Sequence, residues 1–197
     1  MVATARKPVT ANVLDELDPD DRAEVIDGEL VRDAMTTFEH SDAQLGLGTE
    51  LRSRFGGHGP DGDGWWIGTE VTVVYSQTEA FRHDLAGWRK RRVPERPRGP
   101  RVTERPDWVC EILSTNRRKD LVAKRSALHA HGVGHYWIMD LEPLELTVLR
   151  HHADGYLLVA KLFPGDRARV EPFGAVELDV TRLFGDIAPA PSGASGD

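Results

Sequence analysis

The sequence predicts a mixed α/β (α+β) domain, a central mixed sheet with helices on its faces, and three consecutive stretches carry that prediction. DWVCEILS (107–114) is a short, nearly continuous apolar run, the pattern of a strand buried on both faces. KDLVAKRSALHAHG (119–132) has helical apolar spacing and is closed by Gly132, and HYWIMD (135–140) is a second buried strand. Strand, helix and strand in that order imply a crossover with parallel pairing and a sheet covered by helices. At 197 residues and 40% hydrophobic content the chain can bury one substantial core but not two comfortable ones. The expected organisation is a flexible segment over 1–10, a single domain over 11–184 and a disordered tail over 185–197, where APAPSGASGD has the composition of an unpacked segment.

The remaining elements follow in chain order. A short helix is expected near Ala11 to Leu17. AEVIDGELVRD, Ala23 to Asp33, is two short runs around Asp27-Gly28, a dipeptide that supplies the positive φ values of a type I′ hairpin turn. From Phe38 to Phe55, Leu45, Leu51 and Phe55 form a partial helical stripe, interrupted by Gly46 and Gly48 and stopped by Gly56-Gly57. WWIGTEVTVVYSQ is rich in aromatic and β-branched residues and reads as a strand, and FRHDLAGW as the next. Pro94, Pro97, Pro100 and Pro106 exclude regular structure from the basic connection between Arg89 and Arg105. Beyond HYWIMD, ELTVLRHH and YLLVAKLF flank an Asp154-Gly155 turn, and shorter strands are expected around Ala168 to Phe173 and Val176 to Val180.

Charge and cysteine usage narrow the function. The net charge of −7 argues against a protein that coats nucleic acid through overall charge. Positive charge is instead concentrated between Arg89 and Arg105, where Arg89, Lys90, Arg91, Arg92, Arg101 and Arg105 are candidates for holding a nucleic-acid backbone. The lone Cys110 excludes a disulfide framework and a cysteine zinc site, and suits a reducing compartment. MVATARKPVT lacks the apolar region of a targeting signal, and no run is long and apolar enough to span a membrane, so the expected address is the cytoplasm with no membrane partner.

The chemistry sits in RPDWVCEILSTNRRKDLVAK. Strand alternation puts Asp107 and Glu111 on one face of an otherwise apolar strand, and a buried carboxylate is costly unless it is paired or binds a metal. Asp84 adds a third acid from the preceding strand. On the following helix Asp120 and Lys124 are four residues apart, and Lys124 falls at the edge of the face that packs on the sheet, able to reach toward the acids. Carboxylates with a lysine, and no Cys or His cage, suit a hard cation, Mg²⁺ or Mn²⁺. The chemistry that fits is phosphodiester hydrolysis, the lysine positioning water or offsetting charge on phosphorus. The histidines do not assemble a cage: His129 and His131 do not share a helix face, and His151-His152 alternate across a strand. The five tryptophans lie in strands and read as core, and Cys110 lacks the surroundings of a nucleophile.

The string PDWVCEILS, then Asp120 and Lys124, then GVGHYWIMD resembles the signature of the Uma-two family of restriction-endonuclease-like proteins, a branch of the PD-(D/E)XK nuclease superfamily. EVIDGELV, His40 and RHDLAGW resemble the family's earlier segments, so the likeness runs from about Ala23 to Arg150. The resemblance implies a restriction-endonuclease-like core with an added N-terminal hairpin and C-terminal strands, and a Mg²⁺- or Mn²⁺-dependent DNA endonuclease. It implies Asp84 and Glu111 as metal-binding acids and Lys124 as the catalytic lysine, moved onto the helix because Leu113 stands where the superfamily's usual motif has it. Asp107 is either a further ligand or a residue that starts the strand. Glu29, His40, Glu70, Ser114 and Asp120 are supporting candidates. The chain departs from the family pattern at His83, where proline is usual, and at TTFEH before the histidine. The superfamily's habit of cutting both strands as dimers makes a homodimer a partner to test. The alternative reading is a nuclease-like module that binds DNA or protein without cutting.

Overall fold

The computed structural model describes residues 7–18, 21–32, 36–60, 62–113 and 120–185, with the side chains of 120 and 121 outside that description. One turn of 3₁₀ helix (Ala11–Asp15) leads to a hairpin of β1 (Ala23–Ile26) and β2 (Glu29–Arg32). Asp27 and Gly28 both adopt positive φ, 49° and 73°, as the expected turn requires. Residues before the 3₁₀ turn are tied to this hairpin, Val9 N–H donating to Gly28 O at 2.8 Å.

Helix α1 (Phe38–Phe55) begins at Thr37, whose side chain accepts from His40 N–H. Its buried stripe is His40, Ala43, Leu47, Leu51 and Phe55, with Leu45 exposed on the far side. Gly46 is where the helix meets the C-terminal segment: a Cβ there would lie 2.9 Å from the Gly185 backbone.

Strands β3 (Trp65–Ser76) and β4 (Glu79–Arg89) form a long antiparallel pair. The basic connection that follows is not wholly irregular. Within it β5 (Arg101–Val102) pairs parallel to β3 at Thr72 and Val73, because proline forbids pairing only through its own missing N–H and these two residues lie beyond Pro100. Next, β6 (Trp108–Leu113) and β7 (His135–Asp140) run parallel, joined through α2 (Asp120–Ala130). All six residues of β6 are buried, as the apolar run anticipated. Then β8 (Glu145–His152) and β9 (Gly155–Leu162) extend the sheet antiparallel, and β10 (Arg167–Ala168) pairs with β11 (Leu178–Asp179) ahead of α3 (Val180–Leu183). The large sheet has the order β2-β1-β4-β6-β7-β8-β9, with β3 on β4 and β5 on β3.

Two cores lie on the two faces. One packs Leu47, Leu51 and Phe55 of α1 and Phe184 against Trp65, Trp108, Ile112 and Trp137. The other packs Leu128 of α2 with Val73, Phe81, Val109 and Tyr136. Each fully buried large side chain stabilises the fold by about 1.5–3 kcal/mol relative to exposure. Among the described residues no helix is long and apolar enough to cross a membrane.

Two irregularities in β3 and β4 create the polar interior. First, the edge of β4 away from β3 is shared: Ala80 pairs with β1, Leu85 to Gly87 pair with β6, and the residues between face a fork. Second, alternation slips at one rung. Trp65 and Ile67 lie in the first core and Val71 and Val73 in the second, while on β4 Leu85 joins the first core and Phe81 the second. The slip coincides with Glu70, whose φ is 54°, and with Asp84 at the opposing position, which the regular register skips.

Candidate functional site

The fork leaves backbone groups that no neighbouring strand satisfies, and buried backbone polar groups need partners. Charged side chains supply them. Arg82 N–H donates to Glu24 Oε1 at 2.6 Å, Lys124 Nζ donates to Arg82 O at 3.1 Å, and Ile112 N–H donates to Asp84 Oδ2 at 2.7 Å. The buried charges are therefore part of the ladder's bonding as well as candidates for chemistry. Glu24, His40, His83, Asp84, Glu111 and Lys124 are all buried.

On the α1 side of the sheet, His40 Nε2 lies 3.2 Å from Asp84 Oδ1. Gln44 Nε2 donates to Asp84 O at 2.7 Å and to Glu70 Oε1 at 3.0 Å. Arg22 and Arg82 both reach Glu70 Oε2 at 2.7 Å. Potential ligand atoms of His40, Glu70 and Asp84 lie within 4.8 Å of one another. The slip in alternation explains this convergence, since regular pleating would have separated the acids of the two strands from α1.

On the α2 side, Lys124 Nζ lies 2.7 Å from Glu24 Oε1 and 3.1 Å from Glu111 Oε1. His83 Nδ1 lies 2.7 Å from the same Glu111 oxygen, and its Nε2 lies 2.8 Å from Tyr75 OH. Burial and the Lys124 charge push the His83 pKa down to about 3, so the ring is neutral. Burial, reinforced by the Glu111 charge, raises the Tyr75 pKa well above its usual value. Tyr75 thus keeps its proton and donates to Nε2, which leaves Nδ1–H to donate to Glu111. Burial alone would lower the Lys124 pKa, but Glu111 and Glu24 outweigh it and the pKa is raised, so Lys124 is a permanent cation.

Asp84, Glu111 and Lys124 thus gather around the fork, Asp84 capping the residue next to Glu111 in β6. His40 and Glu70 join Asp84. Asp107 does not: it accepts from Arg89 N–H at 2.8 Å and from Arg92 Nε at 2.7 Å, clasping the start of the basic connection. Glu29 is exposed on β2, the strand at the sheet's edge. Ser114 and the side chain of Asp120 lie outside the described residues.

The basic candidates are largely tied to the protein itself. Arg89 and Arg91 reach Asp63, at 3.7 and 3.1 Å. Lys90 Nζ donates to Gly56 O and Gly57 O, and Arg105 to Gly132 O at 2.7 Å. Arg92 pairs with Asp107 and reaches Arg105 O, and Arg101 binds Asp15 and Ala11 O. Arg96 and Arg98 instead line open clefts on the same connection.

Glu24, Gln44, Tyr75 and His83 were not singled out as functional from the sequence. His83 was visible as a departure from the family pattern, and Glu24 as an acid between the apolar Ala23 and Val25 of a short strand. Burial of the Cys110 thiol, which raises its pKa, agrees with its exclusion as a nucleophile.

The fold is similar to that in the crystal structure of a "putative nuclease belonging to DUF820" from Anabaena variabilis ATCC 29413, with a TM-score of 0.73 and 18% sequence identity. The likeness covers 90% of this chain and 98% of that one, and at this identity it concerns the fold. No curated protein matches the chain. Residues 12–181 match the model of the family described as "Uma2: Putative restriction endonuclease", and the chain belongs to that Uma2 family.

Proposed function

We propose that the protein is a metal-dependent endonuclease that hydrolyses phosphodiester bonds in DNA, with Asp84, Glu111 and Lys124 at its centre. One observation carries this reading: an acid from each of two adjacent strands and a buried lysine meet where the β4 ladder forks. The ladder bonds of Glu24, Asp84 and Lys124 do not by themselves call for an ion pair between Lys124 and Glu111, and a buried ion pair is weak evidence for stability. Membership in a family described as restriction endonucleases supports the reaction and substrate class.

The donor set fits a divalent cation. His40, Glu70 and Asp84 offer two carboxylates and an imidazole within 4.8 Å, with no thiolate; the carboxylates suit Mg²⁺ or Mn²⁺, while the imidazole suits transition metals better than Mg²⁺. A cation held there supplies polarisation of a phosphoryl oxygen and a more acidic bound water. The chain's own residues do the rest. Lys124, held cationic by Glu24 and Glu111, offsets negative charge building on phosphorus and does not accept a proton. Neutral His83 holds the Glu111 carboxylate in place by donating from Nδ1, with Tyr75 fixing the tautomer.

The test is nicking and linearisation of supercoiled plasmid with Mg²⁺ and with Mn²⁺, alongside calorimetric titration of Mn²⁺. The wild type is expected to bind Mn²⁺ and cut, and Lys124→Met to bind Mn²⁺ without cutting. Absence of both metal binding and cutting overturns the proposal, as does a Lys124→Met variant that cuts at the wild-type rate.

A further inference from the structure

A cleft of about 420 Å³ opens between the C-terminal end of α1, the first half of β3 and the basic connection. Its size falls in the roughly 300–1,000 Å³ range of small-ligand sites. The lining includes Trp66, Gly68 and Val71 of β3, Arg52 and Gly57 beyond it, and Arg96 from the connection. Gly68 and Val71 bracket Glu70, so the cleft runs along the strand that carries one of the three candidate metal ligands.

Three features define what it would hold. Charge is the first: Arg52 and Arg96 bring two exposed guanidinium groups to a cleft in a protein of net charge −7. Unlike Arg89, Arg91 and Arg92, neither is engaged in an ion pair among the described residues. Such groups fit phosphate. The second is aromatic surface: Trp66 is half-buried where Trp65, Trp88, Trp108 and Trp137 are buried, and the Lys90 ammonium sits 4.2 Å above its ring. The third is a strand edge. On the side away from β4, β3 is paired only at Thr72 and Val73 by β5, so from Trp65 to Val71 that edge has no strand partner among the described residues. Backbone N–H and C=O groups on such an edge can meet the hydrogen-bonding edge of a heterocyclic base. Space is preserved by glycine: a Cβ on Gly57 would meet nothing within 4 Å.

We infer that this cleft is a nucleotide subsite. It holds one unpaired nucleotide of the substrate strand, with the base against Trp66 and the free edge of β3 and a phosphate on Arg52 and Arg96. The inference rests on the nuclease reading above, which supplies a strand to hold. It adds a point of contact beside the metal group and a preference for DNA with unpaired nucleotides.

The experiment follows tryptophan fluorescence during titration with a twelve-residue oligothymidylate, thymidine 5′-monophosphate and a blunt, fully paired duplex. It is run in chelator, so that cutting plays no part. The oligonucleotide is expected to quench saturably and to bind at least about tenfold tighter than the mononucleotide or the duplex. Arg96→Ala, on an exposed loop, and Gly57→Leu, at a cleft position where a Cβ meets nothing within 4 Å, are each expected to weaken it about tenfold or more. Unchanged affinity in both variants overturns the inference, and so does the absence of quenching. Equal affinity for the mononucleotide would assign the cleft to free nucleotides and overturn the strand reading. These outcomes are independent of the plasmid assay. A protein that cuts but shows no dependence on Arg96 or Gly57 loses only this inference, and one that binds through the cleft but never cuts loses only the catalytic reading.

Discussion

The two sides of the sheet at the fork use similar residues for different ends. On the α2 side, two glutamates share one lysine and a neutral histidine, and every group is buried. On the α1 side, Asp84 meets a histidine, and the nearby cations, Arg22 and Arg82, are committed to Glu70. The first arrangement is a neutralised ionic cluster that fixes a lysine. The second brings potential ligand atoms of His40, Glu70 and Asp84 within 4.8 Å of one another. Arg82 joins them: its backbone binds Glu24 and Lys124 on one side while its side chain binds Glu70 on the other. Burial of charge completes a broken ladder on one side and, in the proposed reading, gathers metal ligands on the other.

Separating those two uses begins with Asp84. Asp84→Asn keeps an oxygen for Ile112 N–H but removes the charge from the metal group. DNA cleavage should fall by at least about 100-fold and Mn²⁺ heat should disappear, while denaturation midpoints stay near the wild type. A variant that unfolds instead would make Asp84 a purely structural cap.

Lys124→Met should have the opposite profile in stability. It leaves Glu24 and Glu111 buried without their shared cation, and urea unfolding should show a loss of about 3–5 kcal/mol with Mn²⁺ binding retained. Adding Glu24→Gln should return part of that loss. Loss of Mn²⁺ binding in folded Lys124→Met would merge the two clusters into one.

His83 sets a smaller, pH-dependent effect. Its folded pKa of about 3 lies below the unfolded value of 6.5, so the unfolded chain takes up the proton first. Its contribution is intact above pH 6.5 and stability declines as the pH falls toward 3, with a slope of up to about 1.4 kcal/mol per unit. His83→Gln should flatten the dependence between pH 6.5 and 5 in denaturation measurements. An unchanged slope would locate the acid sensitivity elsewhere in the fork.

The weakest effects are expected from the basic connection. Arg91→Ala breaks an exposed pair with Asp63 and should alter stability by less than about 1 kcal/mol, with little change in DNA binding. Arg98→Ala, in the open cleft, should instead reduce the salt slope of DNA binding by about one phosphate contact. Equal salt slopes in the two variants would show that the pairing within the connection does not decide which arginines reach DNA.

Much of this architecture was legible before folding. The Asp27-Gly28 turn, the α1 stripe and the apolar runs of β6 and β7 are local signals, and the elements appear where those signals place them, although of the expected stripe Leu51 and Phe55 are buried and Leu45 is exposed. Helical periodicity placed Lys124 at the edge of the sheet-facing side of α2, and its Nζ lies 3.1 Å from Glu111 Oε1. Local pattern left Asp107 open as a ligand or a residue that starts the strand; it lies just before β6 and serves the basic connection. Local pattern read all five tryptophans as core; four are buried, and Trp66, packed against the second core, is half-buried beside an open cleft.

The elements, their order and the acids and lysine in apolar surroundings are local properties of the chain, because periodicity and turn chemistry act over a few residues. Only the tertiary structure decided which charges meet. The fork in β4, the slip of alternation at Glu70 and Asp84, and the recruitment of Glu24 from a hairpin 100 residues before Lys124 are consequences of strand pairing. Pairing is set by contacts distant in the chain, and no local window records it.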